Sequence, residues 1–191
     1  MLTYSKDMQN AALIVIDVQN GFDDPRWGAR NNPQCESHII AAVDAWRNAD
    51  LPVVLVRHDS TSPTSPLAPG QPGNDFKPGV AGTAALTISK HTNSAFYGDP
   101  SLESWLRDNG ITDVVICGIT TDHCCSTTAR MAANLGFTVW FVGDATHTFD
   151  RTLPDGTIIG ADEVARVNMA SLHDEFATVI TTAQLLEKIE A

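Results

Sequence analysis

The sequence predicts a three-layer α/β/α domain whose mainly parallel, six-stranded sheet lies between helices. Three observations carry this. Aliphatic runs rich in Val and Ile alternate with stretches of helical periodicity along most of the chain, which is the pattern of βαβ units. Several of those runs are apolar at successive positions rather than at every second one, as strands covered on both faces are. The length of 191 residues suits one domain with a substantial core and leaves little for a second. Residues 1–191 are therefore read as a single Rossmann-like unit.

The elements follow in order. Ala12-Leu13-Ile14-Val15-Ile16 is an apolar strand that stops at Asp17. A helix is expected over about 34–49, with Ile39, Ile40, Val43 and Trp46 on one face. Pro52 to Val56 forms the second strand, which ends at Arg57-His58-Asp59, and Leu86 to Lys90 the third. A short helix from Leu102 is closed by Gly110, and Val114 to Cys117 is the fourth strand. The run Ser126 to Leu135 reads as a helix stopped by Gly136. Residues 137–142 and 177–180 give the last two strands, 161–175 and 183–190 the last two helices.

One stretch breaks the rhythm. Residues 59–82 hold five prolines and several Gly and Ser without periodicity, so they read as a long functional loop rather than a connector. The prolines restrict the unfolded chain and make order less costly, which favours an ordered lid or a subunit contact over a disordered insertion.

Composition excludes some functions. A net charge of −11 argues against a nucleic-acid partner, which needs clustered Lys and Arg. No apolar run approaches the length of a membrane span, and residues 1–7 lack the basic and apolar regions of a signal peptide, so the expected place is cytoplasmic. The four cysteines, at 35, 117, 124 and 125, lack zinc-site spacing and are read as free thiols. Neither a G-x-G-x-x-G turn nor a phosphate-binding P-loop is present.

The chemistry gathers at strand ends. Cys124 follows a buried strand, a glycine turn and the opening of a helix, where the helix dipole and free N–H groups favour thiolate. Asp17 and Lys90 also lie at or just beyond strand ends, and in parallel sheets ligands bind there, near the topological switch point.

Four motifs in this order resemble the isochorismatase-like cysteine hydrolase superfamily: Ile14 to Phe22, Lys90 with Asn93 to Phe96, Gly118 to Cys124, and Ala129 to Phe137 with Asp144-Ala145. The resemblance spans about residues 11–182. It implies a catalytic triad of Asp17, Lys90 and Cys124 and an oxyanion hole from the backbone N–H groups of Thr120 and Cys124, oriented by a cis Ile119–Thr120 peptide. Physically, Asp17 would take the thiol proton and return it to a departing amine, while Lys90 would lower the thiol pKa. The expected activity is hydrolysis of a C–N bond in a small amide, lactam or ureide through a thioester. The alternatives are an isochorismatase-type vinyl-ether hydrolase and a non-catalytic redox or ligand-binding protein.

The candidate substrate-binding residues are Gln19, Phe22, Phe96 and His123. Gln19 either orients Asp17 or caps the turn, and Phe22 and Phe96 either wall the substrate or pack in the core. Trp27 is read as core. His123, about 100° round the helix from Cys124, faces away or gates the pocket. Nicotinamidases of the superfamily carry an Asp-x-His…His metal site after the second strand. Here that segment is Arg57-His58-Asp59-Ser60, without a second histidine, which points away from a metal or other cofactor and toward metal-free members. Residues 65–70 and 127–137 look similar to streptothricin-hydrolase-like amidases. The resemblance also implies a homodimer or homotetramer.

Overall fold

A computed structural model describes residues 8–190; the signal-peptide reading of residues 1–7 lies outside them. Six parallel strands form one sheet in the order β3-β2-β1-β4-β5-β8. They are β1 (Ala11–Ile16), β2 (Val53–His58), β3 (Leu86–Lys90), β4 (Asp113–Ile119), β5 (Thr138–His147) and β8 (Thr178–Ile180). The helices are α1 (Cys35–Asn48), α2 (Leu102–Asp108), α3 (Ser126–Asn134), α4 (Ala161–Leu172) and α5 (Thr182–Glu190). Strands run outward from β1 to β2 and β3, then return to β4 on its other side. The switch point therefore lies between β1 and β4, which pair from Ala11↔Asp113 to Ile16↔Gly118.

Alternation of side chains divides the core in two. Leu13, Val15, Leu55, Val115, Cys117 and Trp140 face α1 and α5 with Ile39, Val43, Trp46 and Leu185. Ile14, Ile16, Val54, Val56, Val114 and Ile116 face the other layer with Leu102, Leu106, Ala129, Ala132 and Leu172. Both faces of β1 are buried along all six residues, which is why that strand reads as a continuous apolar run.

The structure departs from the sequence-based expectation in two places that shape the site. β5 extends to His147 because its pairing with β4 slips: Ile116 faces Phe141, but Gly118 faces Thr146. The polar Gly143-Asp144 pair sits in that bulge, where the Asp144 carboxylate accepts from Thr182 N–H and Oγ1–H at 2.7 and 2.8 Å. A short antiparallel hairpin, β6 (Arg151–Thr152) with β7 (Ile158–Ile159), then follows. Two-residue strands carry no legible period, so nothing in the sequence announces them. Among the described residues no helix is long and apolar enough to cross a membrane.

Candidate active site

The site sits at the carboxyl ends of β1, β3 and β4, beside the switch point. Asp17 leaves β1 in the left-handed region, at φ 53°, a conformation that Asp tolerates better than most residues. Gly118 has φ 131°, and a Cβ there would lie 2.1 Å from the Ile16 carbonyl oxygen. Only glycine lets β4 approach β1 this closely before the cis Ile119–Thr120 bond. A π-helical turn, Thr121–Cys125, precedes α3, so Cys124 lies in a widened turn rather than in the first turn of a regular helix.

Three side chains converge. Lys90 Nζ donates to Asp17 Oδ2 at 2.6 Å and lies 3.4 Å from Cys124 Sγ. It also donates to the Thr92 carbonyl at 3.0 Å and lies 3.4 Å from His58 Nδ1. The side chains of Asp17 and Lys90 are fully buried, and Cys124 is 7% exposed. Asp17 Oδ1 is buried with no hydrogen-bond partner among the described residues. Cys124 Sγ is also 3.8 Å from Asn93 Oδ1.

Burial governs the electrostatics. It raises the Asp17 carboxyl above its ordinary range despite the pull of Lys90. Burial pulls Lys90 down, but Asp17 and Cys124 pull harder and leave it firmly protonated. For Cys124, burial first and the Asp17 charge second push the thiol well up, against Lys90. The expectation that Lys90 and the helix N-terminus lower the thiol pKa is thus corrected: burial and the Asp17 charge outweigh Lys90 and favour the neutral thiol.

A cavity of about 150 Å³ opens over this floor. Its lining brings Phe22 and Trp27 from the short turns after β1, Leu67 from the long loop, and Phe149 and Arg151 from the segment after β5. The three aromatic rings lie together, with centroids 5.4 Å (Phe22–Trp27), 6.0 Å (Trp27–Phe149) and 6.5 Å (Phe22–Phe149) apart. Arg151 donates to both oxygens of Asp122, at 2.7 and 3.0 Å.

The comparisons with known proteins agree with this geometry. Residues 11–184 match the Isochorismatase domain family. The uncharacterized isochorismatase family protein YrdC of Bacillus subtilis is 41% identical over 93% of this chain and 95% of its own length. The chain belongs to the isochorismatase family. Nicotinamidase 3 of Arabidopsis thaliana is 33% identical over 78% of this chain and 79% of its own. The crystal structure of an isochorismatase-family protein from Chromobacterium violaceum is 40% identical, with a TM-score of 0.90 over all of this chain and 97% of that one. A cysteine, a histidine and an aspartate gathered at the switch point of an isochorismatase fold mark a hydrolase-type enzyme.

Within this isochorismatase-family site the sequence-based candidates fall unevenly. Asp17, Lys90, Cys124, Thr120, Phe22 and His123 are at or around the cavity. His123 is on the rim, 55% exposed at its side chain and 3.3 Å from Asp122. Gln19 is not on the cavity. Its fully buried amide donates to the carbonyls of His58 and Asn74 at 3.1 and 2.9 Å, and its Oε1 accepts from His58 N–H at 2.9 Å. Those bonds tie the end of β1 to β2 and to the long loop, and none of them is to Asp17. Phe96 is also away from the cavity, stacked on Phe137 at 6.1 Å, because the Ala95 N–H is anchored to Thr128 Oγ1 on α3 at 3.0 Å. Trp27, read as core, instead lines the cavity.

His58, Leu67, Phe149 and Arg151 were not singled out as binding residues by sequence, although Leu67 lies in the 59–82 loop that was read as functional. The signal for His58 was its position at the end of β2, level with Lys90 on β3. Ligand atoms of Asp17, His58 and Cys124 lie within 4.8 Å of one another, as metal ligands would. The Lys90 ammonium is also within 3.4 Å of Asp17 Oδ2, His58 Nδ1 and Cys124 Sγ, so a cation is already present beside these atoms.

Proposed function

We propose that this chain is a cysteine-nucleophile hydrolase that cleaves the C–N bond of a small, uncharged amide, lactam or ureide. The observation that carries the reading is the pairing of a buried thiol with a carboxylate whose Oδ1 has no partner while Oδ2 is held by Lys90. A carboxyl raised by burial is a better proton acceptor than a free one. As Sγ attacks the carbonyl carbon, its proton passes to Asp17 Oδ1. The Lys90 charge offsets the negative charge on the site throughout. The N–H groups of Thr120 and Cys124 are the donors assigned to the developing oxyanion, and each such donor typically contributes about 3–4 kcal/mol. Asp17 then protonates the leaving nitrogen, the C–N bond breaks, and a thioester remains on Cys124. Water, deprotonated by the same carboxylate, attacks the thioester and releases the acid and the thiol.

Charge balance supports a neutral substrate. Asp17 and Lys90 offset one another, as do Asp122 and Arg151. His58 and His123 are both held below the usual histidine range, chiefly by burial. Isochorismate, a dicarboxylate, would meet no uncommitted cation among the residues that line the cavity. The aromatic rings suit a flat ring or planar amide, so nicotinamide-like amides and cyclic amides are the first to try. A homodimer or homotetramer is proposed as the working assembly: the hairpin exposes Ile158 and α4 exposes Val167, at 66% and 52%. Light scattering reads the assembly directly.

The test is ammonia or carboxylic-acid release from a panel of small primary amides, lactams and ureides, with isochorismate included. Turnover of an amide that disappears in Cys124→Ala supports the proposal. Turnover of isochorismate alone, retained in Cys124→Ala, overturns it.

A further inference from the structure

Lys90 has three ammonium hydrogens but four acceptors within reach. Two contacts are short: Asp17 Oδ2 at 2.6 Å and the Thr92 carbonyl at 3.0 Å. The remaining hydrogen is contested at the same distance, 3.4 Å, by Cys124 Sγ and His58 Nδ1. We infer that His58 is a positioning residue for Lys90: it holds the third ammonium hydrogen off the resting thiol and yields it to the sulfur as negative charge develops there.

The chemistry of the two acceptors makes the exchange directional. A neutral thiol sulfur accepts weakly, whereas an imidazole nitrogen with a free lone pair accepts well. A thiolate or thiolate-like sulfur reverses that order, because a charged acceptor makes the stronger bond. An ammonium has no lone pair, so the contact requires the His58 tautomer with hydrogen on Nε2. Burial, with the Lys90 charge next, keeps this ring neutral.

His58 is held for the task. His58 and Lys90 are register partners on β2 and β3. The His58 N–H donates to Gln19 Oε1 at 2.9 Å, and its carbonyl accepts from Gln19 and Asn74 at 3.1 Å each. This gives the buried Gln19 amide a purpose: it fixes the backbone that carries the imidazole. Other charged or titratable groups around the cluster are Asp17 after β1, Asp59 and His91 after β2 and β3, Asp122 and His123 beside Cys124, and Arg151 on the hairpin. Asp122 and Arg151 are paired with each other.

The inference rests on the nucleophile assigned to Cys124, but its test reads the titration of the thiol and not turnover. Loss of amide hydrolysis would leave the test intact. The measurement is the pH dependence of Cys124 alkylation by iodoacetamide, followed by peptide mapping, with a chelator present to exclude adventitious metal. Wild type is compared with His58→Phe, His58→Ala and His58→Asn, each also in the Lys90→Met background. Without an acceptor at Nδ1 the hydrogen passes to the sulfur at rest. Both apolar variants are therefore expected to lower the alkylation midpoint by about one pH unit, roughly tenfold more label at a fixed pH below it. The Asn amide oxygen can replace Nδ1, so His58→Asn should stay near wild type. In Lys90→Met the His58 changes should have no effect. Labelling that stays off the buried Cys35, Cys117 and Cys125 establishes that each variant is folded, and an apolar variant that fails this check is replaced by the other. Superimposable wild-type and apolar-variant profiles overturn the inference. So does an equal shift in His58→Asn, or a shift that persists without Lys90.

Discussion

On the floor of the cavity, Asp17, Lys90 and Cys124 sit at or just beyond the ends of β1, β3 and β4. The wall around it is made of Phe22, Trp27, Leu67, Phe149 and Arg151, drawn from three connecting segments. The floor is fixed by backbone register: β1 and β4 pair along six positions, and β2 and β3 bring His58 level with Lys90. The wall is fixed by side-chain packing, ring against ring, with Trp27 Nε1 bonded to the Gly21 carbonyl at 2.8 Å. The lesson is a division of labour. Groups that must be placed to within tenths of an ångström hang from the sheet, and groups that select a substrate hang from loops that can change without disturbing it.

That division can be broken or sharpened by substitution. The largest effect is expected from Cys124→Ala, which should lower kcat by about 10⁴-fold or more while the far-ultraviolet spectrum stays unchanged. A variant that keeps turnover would remove the floor from the chemistry altogether.

Next comes Asp17→Asn, which leaves the Lys90 charge buried without its partner. A loss of roughly 3–5 kcal/mol in chemical denaturation is expected, beside a large fall in kcat. The double variant Asp17→Asn/Lys90→Met should be less destabilised than the sum of the single changes. Additive losses would mean that the buried pair is not coupled.

Phe149→Ala tests the wall. Phe149 is 2% exposed, so removing the ring should cost about 3–5 kcal/mol of stability. It should raise KM about tenfold with a smaller effect on kcat. A fall confined to kcat would place this ring with the floor instead.

His147 lies behind the wall, its ring meeting Phe149 edge-on at 5.2 Å. It is fully buried, both its nitrogens lack a hydrogen-bond partner among the described residues, and burial pushes its pKa from 6.5 to about 4. Between those two values the unfolded chain binds the proton and the folded protein does not. Stability should therefore fall as the pH is lowered from 6.5 to 4, by at most about 3 kcal/mol, and by no more from this group below that window. Denaturation midpoints across the range, compared with His147→Phe, isolate the contribution; equal slopes in the two proteins would refute it. Arg151→Ala should have the smallest effect, about 1 kcal/mol or less, because its ion pair with Asp122 is partly open to solvent.

The same division explains what could be read from the sequence. Ala11–Ile16 is buried on both faces and declared itself through its continuous apolar run. Asp17, Lys90 and Cys124 stood out because each interrupts or follows such a run. Phe149 and Arg151 were illegible because the bulge at Gly143-Asp144 and the two-residue strands of the hairpin have no period to detect. For Gln19 and Phe96 the sequence left two places open, and the side chains lie off the cavity lining. Their motifs marked the neighbourhood of the site, but backbone bonds from His58, and to Thr128, decide where those side chains go. The state of the thiol was misjudged for a different reason. Burial first, and the Asp17 charge second, raise the thiol by more than the Lys90 ammonium lowers it, and the depth of that burial is not written in the spacing of the three residues.

The most direct test is the mass of the enzyme during turnover. With the best amide found by product release, the reaction is quenched in acid after a few milliseconds and the intact protein and its peptides are weighed. The account expects an added acyl group, the substrate less its amine, on the peptide that contains Cys124, and none in Cys124→Ala. Turnover at full rate with no acyl group on Cys124 at any quench time, and with activity retained in Cys124→Ala, would contradict it.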